Sequence, residues 1–462
     1  LYRAYCARTT WSDVNGKYTD MNEKVQQLPD PASPVYGCDA FWNTFWNLNQ
    51  LWNLVTPDVA EKWVRSQLEM YDKGGWLAKG PTGIEYSSIM VASHEIPLIV
   101  AAYQHGIRGY DVEKAFEAML HCQTTPGQKH PGGGHVGNKD LTPYLEHGYV
   151  PIGKGYSSNT LEYSYDDWCV AQMAQALGRD DEYKRFAKRG ENWRNLFDRE
   201  TGFMRARHAD GRWQEDFDPY SRAGGWVEGN PWQFTWFVPQ NVPGLVELMG
   251  RDRFVERLNE GLTKSAEHDF NAPGDRMASV PINHGNQPSM QVAYLFNHAQ
   301  APWLTQKWVR TILDQYYGTG PHDGWPGDED QGQGGAWFVM SALGLFQTDG
   351  GCRVDPIYEI GSPLFDRAVI RLDPNYNGGT EFVIEARNNG PRNVYIQSAA
   401  LNGKPLHQPW FPVSEALDGG RLVLEMGPEP NRSWGTRPGD VPPTPGPSPA
   451  GPSLESKPNA PF

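Results

Sequence analysis

What this chain of 462 residues lacks narrows its chemistry first. No apolar run reaches the ~20 residues that a membrane-spanning helix needs, so no bilayer span is expected. No run of Lys and Arg forms a stripe and the formal charge is −14, which argues against a nucleic-acid partner, because phosphate binding needs clustered cations. The five cysteines (Cys6, Cys38, Cys122, Cys169, Cys352) are scattered without a CxxC pair. Neither a zinc site nor a dense disulfide framework is indicated, although one or two bridges stay open. A start at LYRAYCARTT, without initiator Met, basic n-region or apolar h-region, is what a processed chain or a piece of a longer one would show.

What is present reads as a folded globular protein, with 39% hydrophobic and 12% aromatic residues. The length exceeds what a single core usually fills, so two domains and a tail are expected. Eighteen tryptophans are more than packing demands. Indole faces stack on sugar rings and equally fill cores, so a sugar cleft is worth testing against the core reading.

Two grammars divide the chain. Residues 1–350 read mostly as helices between glycine-rich loops: 59–75, 111–122, 166–178, 181–198 and 302–317 carry apolar residues at helical spacing, with Asp starts and Gly stops. Paired helices wrapped into a barrel or solenoid would give this pattern, and the lack of a fixed repeat period disfavours the solenoid. Residues 351–435 alternate in short runs, "AVIRLD", "EFVIEA", "NVYIQSAALNG" and "RLVLEM", punctuated by "NYNGG", "NNG" and "DGG". These predict an antiparallel β-sandwich. Residues 436–462 are rich in Pro, Gly and Ser and read as an extended linker, of the kind that joins secreted modules.

Hydrolysis of a glycosidic bond needs one carboxylic acid and one carboxylate, and several loops offer isolated acids. "DGWPGDEDQGQGGAWF" sets Asp328, Glu329 and Asp330 between glycines, as a solvated turn or as half of a site. "GGWVEGNPWQFTWFVP" places Glu228 among Trp226, Trp232, Gln233 and Trp236, whose walls would raise its pKa towards that of a general acid; the bland alternative is a Glu capping the next helix. "INHGNQPSM" gathers Asn283, His284, Asn286 and Gln287, enough polar groups to hold sugar hydroxyls or a hard cation. "GCDAFWNTFWNLNQLWNL" interleaves Asp39, Asn43, Asn47, Asn49 and Asn53 with Trp42, Trp46 and Trp52, a density that suits a sugar. In "TLEYSYDDWC", Glu162, Asp166 and Asp167 stand at an expected helix start, where the helix dipole accounts for them without function.

Taken in order, "TLEYSYDDWCVAQMAQALG", "FAKRGENWRNLFDRETGFMRARHADGRW", "EGNPWQFTWFVPQNVPGLVELMG", "GNQPS", "GWPGDEDQGQGGAWFVMSALGLF", "YEIGSPLFDRAVIRL" and "NVYIQSAALNGKPL" resemble glycoside hydrolase family 92 over about residues 1–435. The resemblance implies a mainly α fold, an (α/α)6 barrel carrying the site and followed by the antiparallel β-sandwich. It implies a calcium-dependent, inverting, exo-acting α-mannosidase. The family's N-terminal β-sandwich domain is not in this chain, so the resemblance makes it a partner from a longer protein.

Carried onto this sequence, Glu228 resembles the general acid and Asp330 the general base, with Asp328 supporting it. Asn286 and Gln287 fall in the loop the family writes Asn-Glu-Pro, which helps to place Ca2+; Gln287 in place of Glu removes a charge there. The family's Trp-Asp-Thr-Phe-Arg reads Trp42-Asn43-Thr44-Phe45-Trp46 here, which loses an acid and a base at the pocket border and implies altered specificity. Trp42, Asn43, Trp46, Trp232, Gln233 and His284 are the expected sugar contacts. The His-Glu pair of α-1,2-specific members would fall on Ile282-Asn283, which argues against that linkage. The expected substrate is terminal mannose on N-glycans or mannans. Mannose on phosphate and a non-catalytic glycan-binding relative are the alternatives. A secreted or cell-surface protein, of bacterial type, is expected.

Overall fold

The computed structural model describes residues 1–6, 9–38, 40–82, 85–272 and 280–444, without the side chain of Cys6. Asp39 and the last part of the expected linker, 445–462, lie outside the described residues.

Among the described residues, ten α-helices have eight residues or more: α1 Leu48–Val55, α2 Pro57–Gly74, α3 Glu95–Gln104, α4 Val112–Thr124, α5 Asn159–Ala176, α6 Asp180–Arg189, α7 Val242–Met249, α8 Arg251–Ala266, α9 Pro302–Gln315 and α10 Gln333–Leu343. Helix α2 shows why they form. Pro57 at its start cannot donate a hydrogen bond and need not, Asp58 favours the positive helix end, and Gly75 stops the helix at φ 82. Its buried Val59, Ala60, Trp63, Val64, Leu68 and Met70 recur at helical spacing and face the core. Helix α4 starts as its sequence predicts, with the Asp111 carboxylate accepting from Lys114 N–H at 3.0 Å.

Neighbours in sequence pack on one another, α1 on α2 and α3, α3 and α4 on α5, α5 on α6, α7 on α8, α8 on α9, and α9 on α10. Helix α10 then packs back against α1. This closing contact returns the segment just before α10 to the segment just before α1.

Two expected helices differ. The stretch expected at 166–178 begins at Asn159, so Asp166 and Asp167 lie in the helix interior rather than its first turn, and both are buried. The dipole does not explain them. Asp167 is instead neutralised by Arg189, at 2.6 and 2.8 Å, and accepts from the Tyr144 hydroxyl at 2.8 Å. The stretch at 181–198 breaks after Arg189, and its end enters the short strand Phe197–Asp198 paired with Phe203–Met204.

The C-terminal part is built of β1 Leu345–Phe346, β2 Ile357–Ile360, β3 Arg367–Arg371, β4 Glu381–Arg387, β5 Tyr395–Leu401, β6 Lys404–Leu406, β7 Trp410–Pro412 and β8 Gly420–Gly427. They form a three-stranded sheet, β1-β2-β7, and a five-stranded one, β3-β4-β8-β5-β6. Phe411 of β7 lies 5.9 Å from Tyr358 in its own sheet and 5.9 Å from Phe382 in the other, joining the two. The expectation of a wholly antiparallel arrangement is corrected by β4 and β8, which run parallel, with Phe382 opposite Gly420. The chain leaves a gap between β4 and β5, and β8 returns through the short helix Val413–Leu417 to fill it. Beyond Thr436 the first residues of the expected linker are tied down, since Trp410 Nε1 donates to the Asp440 carbonyl at 3.0 Å and Arg353 to the Pro443 carbonyl at 2.8 Å.

Thirteen of the eighteen tryptophans are buried, so for most of them the core reading wins over the sugar reading. Cys122, Cys169 and Cys352 are buried free thiols, and Cys38 is buried too.

Candidate active site

Glu228 and Asp330, far apart in sequence, are held by consecutive residues of a third loop. Asn286 Nδ2 donates to Glu228 Oε2 at 3.3 Å and to the Glu228 carbonyl at 3.1 Å. Gln287 Nε2 donates to Asp330 Oδ2 at 2.7 Å and to the Asp328 carbonyl at 3.1 Å. The Asp328 N–H donates to the Gly285 carbonyl at 2.8 Å, so loops 283–287 and 324–333 are joined through backbone as well.

Two further segments close the ring. Gln333, at the start of α10, donates to the Trp42 carbonyl at 3.1 Å, and its Oε1 accepts from Asn47 at 2.9 Å; this fixes 40–47 beside Asp330. Ser158, at the start of α5, donates its N–H to the Gly225 carbonyl and accepts from Val227 N–H, each at 3.1 Å, and so holds the Glu228 loop. Glu228 does not cap the helix that follows it. That role belongs to Asn230, whose side chain accepts from Gln233 N–H at 3.0 Å.

The backbone here is strained. Asn43, Glu228, Asp330 and Gln331 have φ of 60, 48, 32 and 53, the left-handed region in which a non-glycine residue costs roughly 1 kcal/mol. Such residues persist only where the surroundings over-determine them, and they gather at working sites. Nothing in residue identity shows this feature in advance.

Glu228 faces solvent, but the walls around it remove part of its hydration and push its pKa up; the Asn286 hydrogen bond opposes the shift, and the Asp328 charge adds to it. Burial also raises Asp328. A carboxyl group kept protonated towards neutral pH, opposite a second carboxylate, can give a proton to a leaving oxygen while its partner takes one from water. Glu329 has a different task. Its carboxylate accepts from Gly332 N–H at 2.7 Å, Gly335 N–H at 3.2 Å and Arg3 at 3.0 Å, fixing the loop to the start of α10 and to the N-terminal segment.

The other expected sugar contacts divide. Trp42 and Asn43 lie beside the site loops, Trp42 giving its Nε1–H to both Glu162 oxygens at 3.1 Å. Trp232 is largely buried against Phe203 at 5.0 Å, and Gln233 donates to the Val280 carbonyl at 3.0 Å. Asn43, Trp46 and His284 are corrections, because their side chains are buried with no accessible surface. Trp46 gives its Nε1–H to the Thr348 carbonyl at 2.7 Å and packs on Phe45 and Phe237. His284 sits among Tyr316, Tyr317 and Trp337, where burial lowers its pKa to about 3. Sequence reasoning missed His94, which has no motif of its own, and set Glu162 aside as a helix-dipole residue.

The loop chemistry fits a hard cation in part. Gln287 Oε1 is a buried oxygen without a hydrogen-bond partner, close to two carboxylate-bearing residues, the kind of donor calcium takes. Among the described residues no group of three or more His, Cys, Asp and Glu side chains gathers as a ligand set, so amide oxygens would carry much of the coordination.

A helical body with paired carboxyl groups on facing loops defines the class of site used to cleave acetals. Residues 1–428 match the glycosyl hydrolase family 92 catalytic domain, and the chain belongs to that family. Its fold is similar to that of the family GH92 α-mannosidase BT3965 from Bacteroides thetaiotaomicron, at 31% identity and TM-score 0.85, over 96% of this chain and 56% of that one. The same enzyme has been solved with mannoimidazole bound. The inverting mannosidase BT2199 from the same organism is 32% identical, TM-score 0.84, over 96% of this chain and 60% of its own. A curated relative, an uncharacterized secreted glycosidase of Arthroderma benhamiae, is 28% identical over 88% of this chain and 55% of its own length. The chain thus spans little more than half the length of these relatives.

Proposed function

We propose that this chain is the catalytic portion of an inverting exo-α-mannosidase whose helices form an (α/α)6 barrel, followed by a β-sandwich. The observation that carries the reading is the convergence of Glu228 and Asp330 on the Asn286–Gln287 dipeptide, each carboxyl bound to a different side chain. In the reaction, water attacks the anomeric carbon while Asp330 takes its proton, and Glu228 gives its proton to the departing oxygen as the glycosidic bond breaks. Asp328 supports the base. Trp42 borders the sugar, the loss of the family's acid and base at positions 43 and 46 alters specificity, and Ile282-Asn283 in place of a His-Glu pair argues against α-1,2 linkages. The partner is terminal mannose of an N-glycan or mannan, together with an N-terminal domain of the longer protein.

Asn286 and Gln287 are the residues that would hold calcium. Bound there, the ion would hold the O2 and O3 hydroxyls and ease ring distortion. Export is supported by the secreted curated relative and by the Pro-rich C-terminal segment. Among the described residues, no helix is long and apolar enough to cross a membrane.

The test is the anomer released from an aryl α-mannoside by the full-length protein, followed by proton NMR. β-Mannose should appear first and then mutarotate. α-Mannose as the first product would overturn the inverting assignment.

A further inference from the structure

The turn Trp42–Asn43 is gripped from below by two side chains that the reaction above does not use. Glu162 is fully buried in the first turns of α5, and both its oxygens lie 3.1 Å from the Trp42 indole nitrogen. His94, fully buried just before α3, lies with Nε2 3.1 Å from Glu162 Oε2, while its Nδ1 accepts the Asn43 backbone N–H at 2.9 Å. Because Nδ1 is an acceptor, the hydrogen of the neutral ring sits on Nε2, the nitrogen that lies between Glu162 and Asp166. The carboxylate thus receives the Trp42 indole N–H and lies against an imidazole that takes the backbone N–H of the next residue of the turn.

The linkage is costly to build, which makes it informative. Burying a carboxylate is unfavourable unless hydrogen bonds replace its lost water. Asn43 is held at φ 60, a conformation that aims its N–H at His94 and that an unsupported turn would leave. Lys79 and Asp166 are buried too and act on His94, and buried Glu95 acts in turn on Asp166: Asp166 Oδ1 lies 3.9 Å from Nε2, and Lys79 is engaged by the Met90 and Gly137 carbonyls at 3.0 and 2.7 Å. On the upper side, the Trp42 carbonyl accepts from Gln333, three residues after Asp330. Side chain, backbone N–H and carbonyl of one turn are each tied to a different element of the site.

We infer that Glu162 and His94 are positioning residues for sugar binding: they act through Trp42 and Asn43, locking the turn as a rigid wall of the sugar pocket. The charge of Glu162 also acts on Glu228, so the clamp lies within electrostatic reach of the candidate acid. The inference rests on the mannosidase reading only for the identity of the sugar.

Two readouts on the full-length protein test it. The first is the indole N–H signal of Trp42 in nitrogen-labelled protein, assigned by its disappearance in Trp42→Phe. A carboxylate acceptor moves this proton downfield, so Glu162→Gln and His94→Gln should both shift it, the former more. The second is the affinity for mannoimidazole by calorimetry. Each variant should bind roughly tenfold more weakly, about the worth of one lost charge-assisted hydrogen bond. The double variant Trp42→Phe/Glu162→Gln should bind no worse than the weaker single one, because both changes cut one link.

An unmoved indole signal would overturn the clamp. A moved signal with unchanged affinity would overturn its role in binding, and additive losses would show Glu162 acting on the sugar by another route. Should Glu162→Gln fail to fold, His94→Gln leaves carboxylate and indole in place and decides the same question. If the unmodified protein binds no mannoimidazole, the mannosidase reading fails on that ground, while the indole shift still decides the clamp.

Discussion

Gln287 gives one N–H to Asp330 Oδ2 at 2.7 Å and another to the Asp328 carbonyl at 3.1 Å, while its own Oε1 is buried without a partner. The amide thus does for two acceptors what a carboxylate at this position could do only with a cation between them. Gln287→Glu places a carboxylate against Asp330, and the repulsion is relieved only by a bound cation. The variant should bind calcium at least tenfold more tightly in a calorimetric titration than the unmodified protein, and chelator should lower its melting temperature by several degrees more. Equal calcium affinity in the two proteins would remove the cation from this loop.

The division of labour between Glu228 and Asp330 is open to leaving-group analysis. Glu228→Gln should slow substrates with poor leaving groups by about 10²–10⁴-fold and an activated aryl mannoside far less, because the latter needs little protonation. Asp330→Asn should slow both alike, since every substrate needs activated water. Equal damage to good and poor leaving groups from the Glu228 change would dismiss it as the acid.

Much of this was legible in the sequence because it is periodic or chemically scarce. The apolar spacing of α2 and α9, the Asp111 cap and the alternation in β4 and β8 each state their own structure, and the loops with Glu228, Asp330, Asn286 and Gln287 announce themselves by polar groups among glycines. What stayed hidden depends on partners distant in the chain. Trp46 and Trp42 look alike in sequence; only the position of Thr348 and Glu162 ties one to the core and the other to the segment beside the Asp330 loop. Asp166 and Asp167 look like a helix start because acids favour one, yet α5 begins seven residues further back, at Asn159, and is buried on every side, so they lie in its interior. The parallel pairing of β4 and β8 follows from strand order, which alternation does not encode.

The Asp167–Arg189 pair is a structural counterpart to Glu162 of the same helix. Asp167 is fully buried and takes two guanidinium bonds, at 2.6 and 2.8 Å, besides the Tyr144 hydroxyl. Asp167→Asn leaves a mostly buried cation without its counter-charge, a change that costs about 3–5 kcal/mol. Denaturant unfolding should show that loss, with the anomer released by residual activity unchanged. A cost under about 1 kcal/mol would mean that Arg189 finds water or another acceptor.

The pH dependence of Glu228 can be given a sign. Loss of hydration raises its pKa most, the Asn286 hydrogen bond lowers it, Asp328 and Glu162 raise it, and Arg222 lowers it, the net shift being upward. The acid works only while protonated, so kcat/KM for a poor leaving group should hold to a pH above the ordinary glutamate range and fall as pH rises through the raised pKa. Arg222→Gln removes a positive charge that favours the ionised form; the proton is then held more tightly and the alkaline limb should move to higher pH. Glu162→Gln removes a negative charge and should move the limb the opposite way. An activated aryl mannoside, which needs little protonation, should show a weaker alkaline limb in all three proteins. Limbs that stay in place, or that move in the same direction in both variants, would show that the group titrating there is not Glu228.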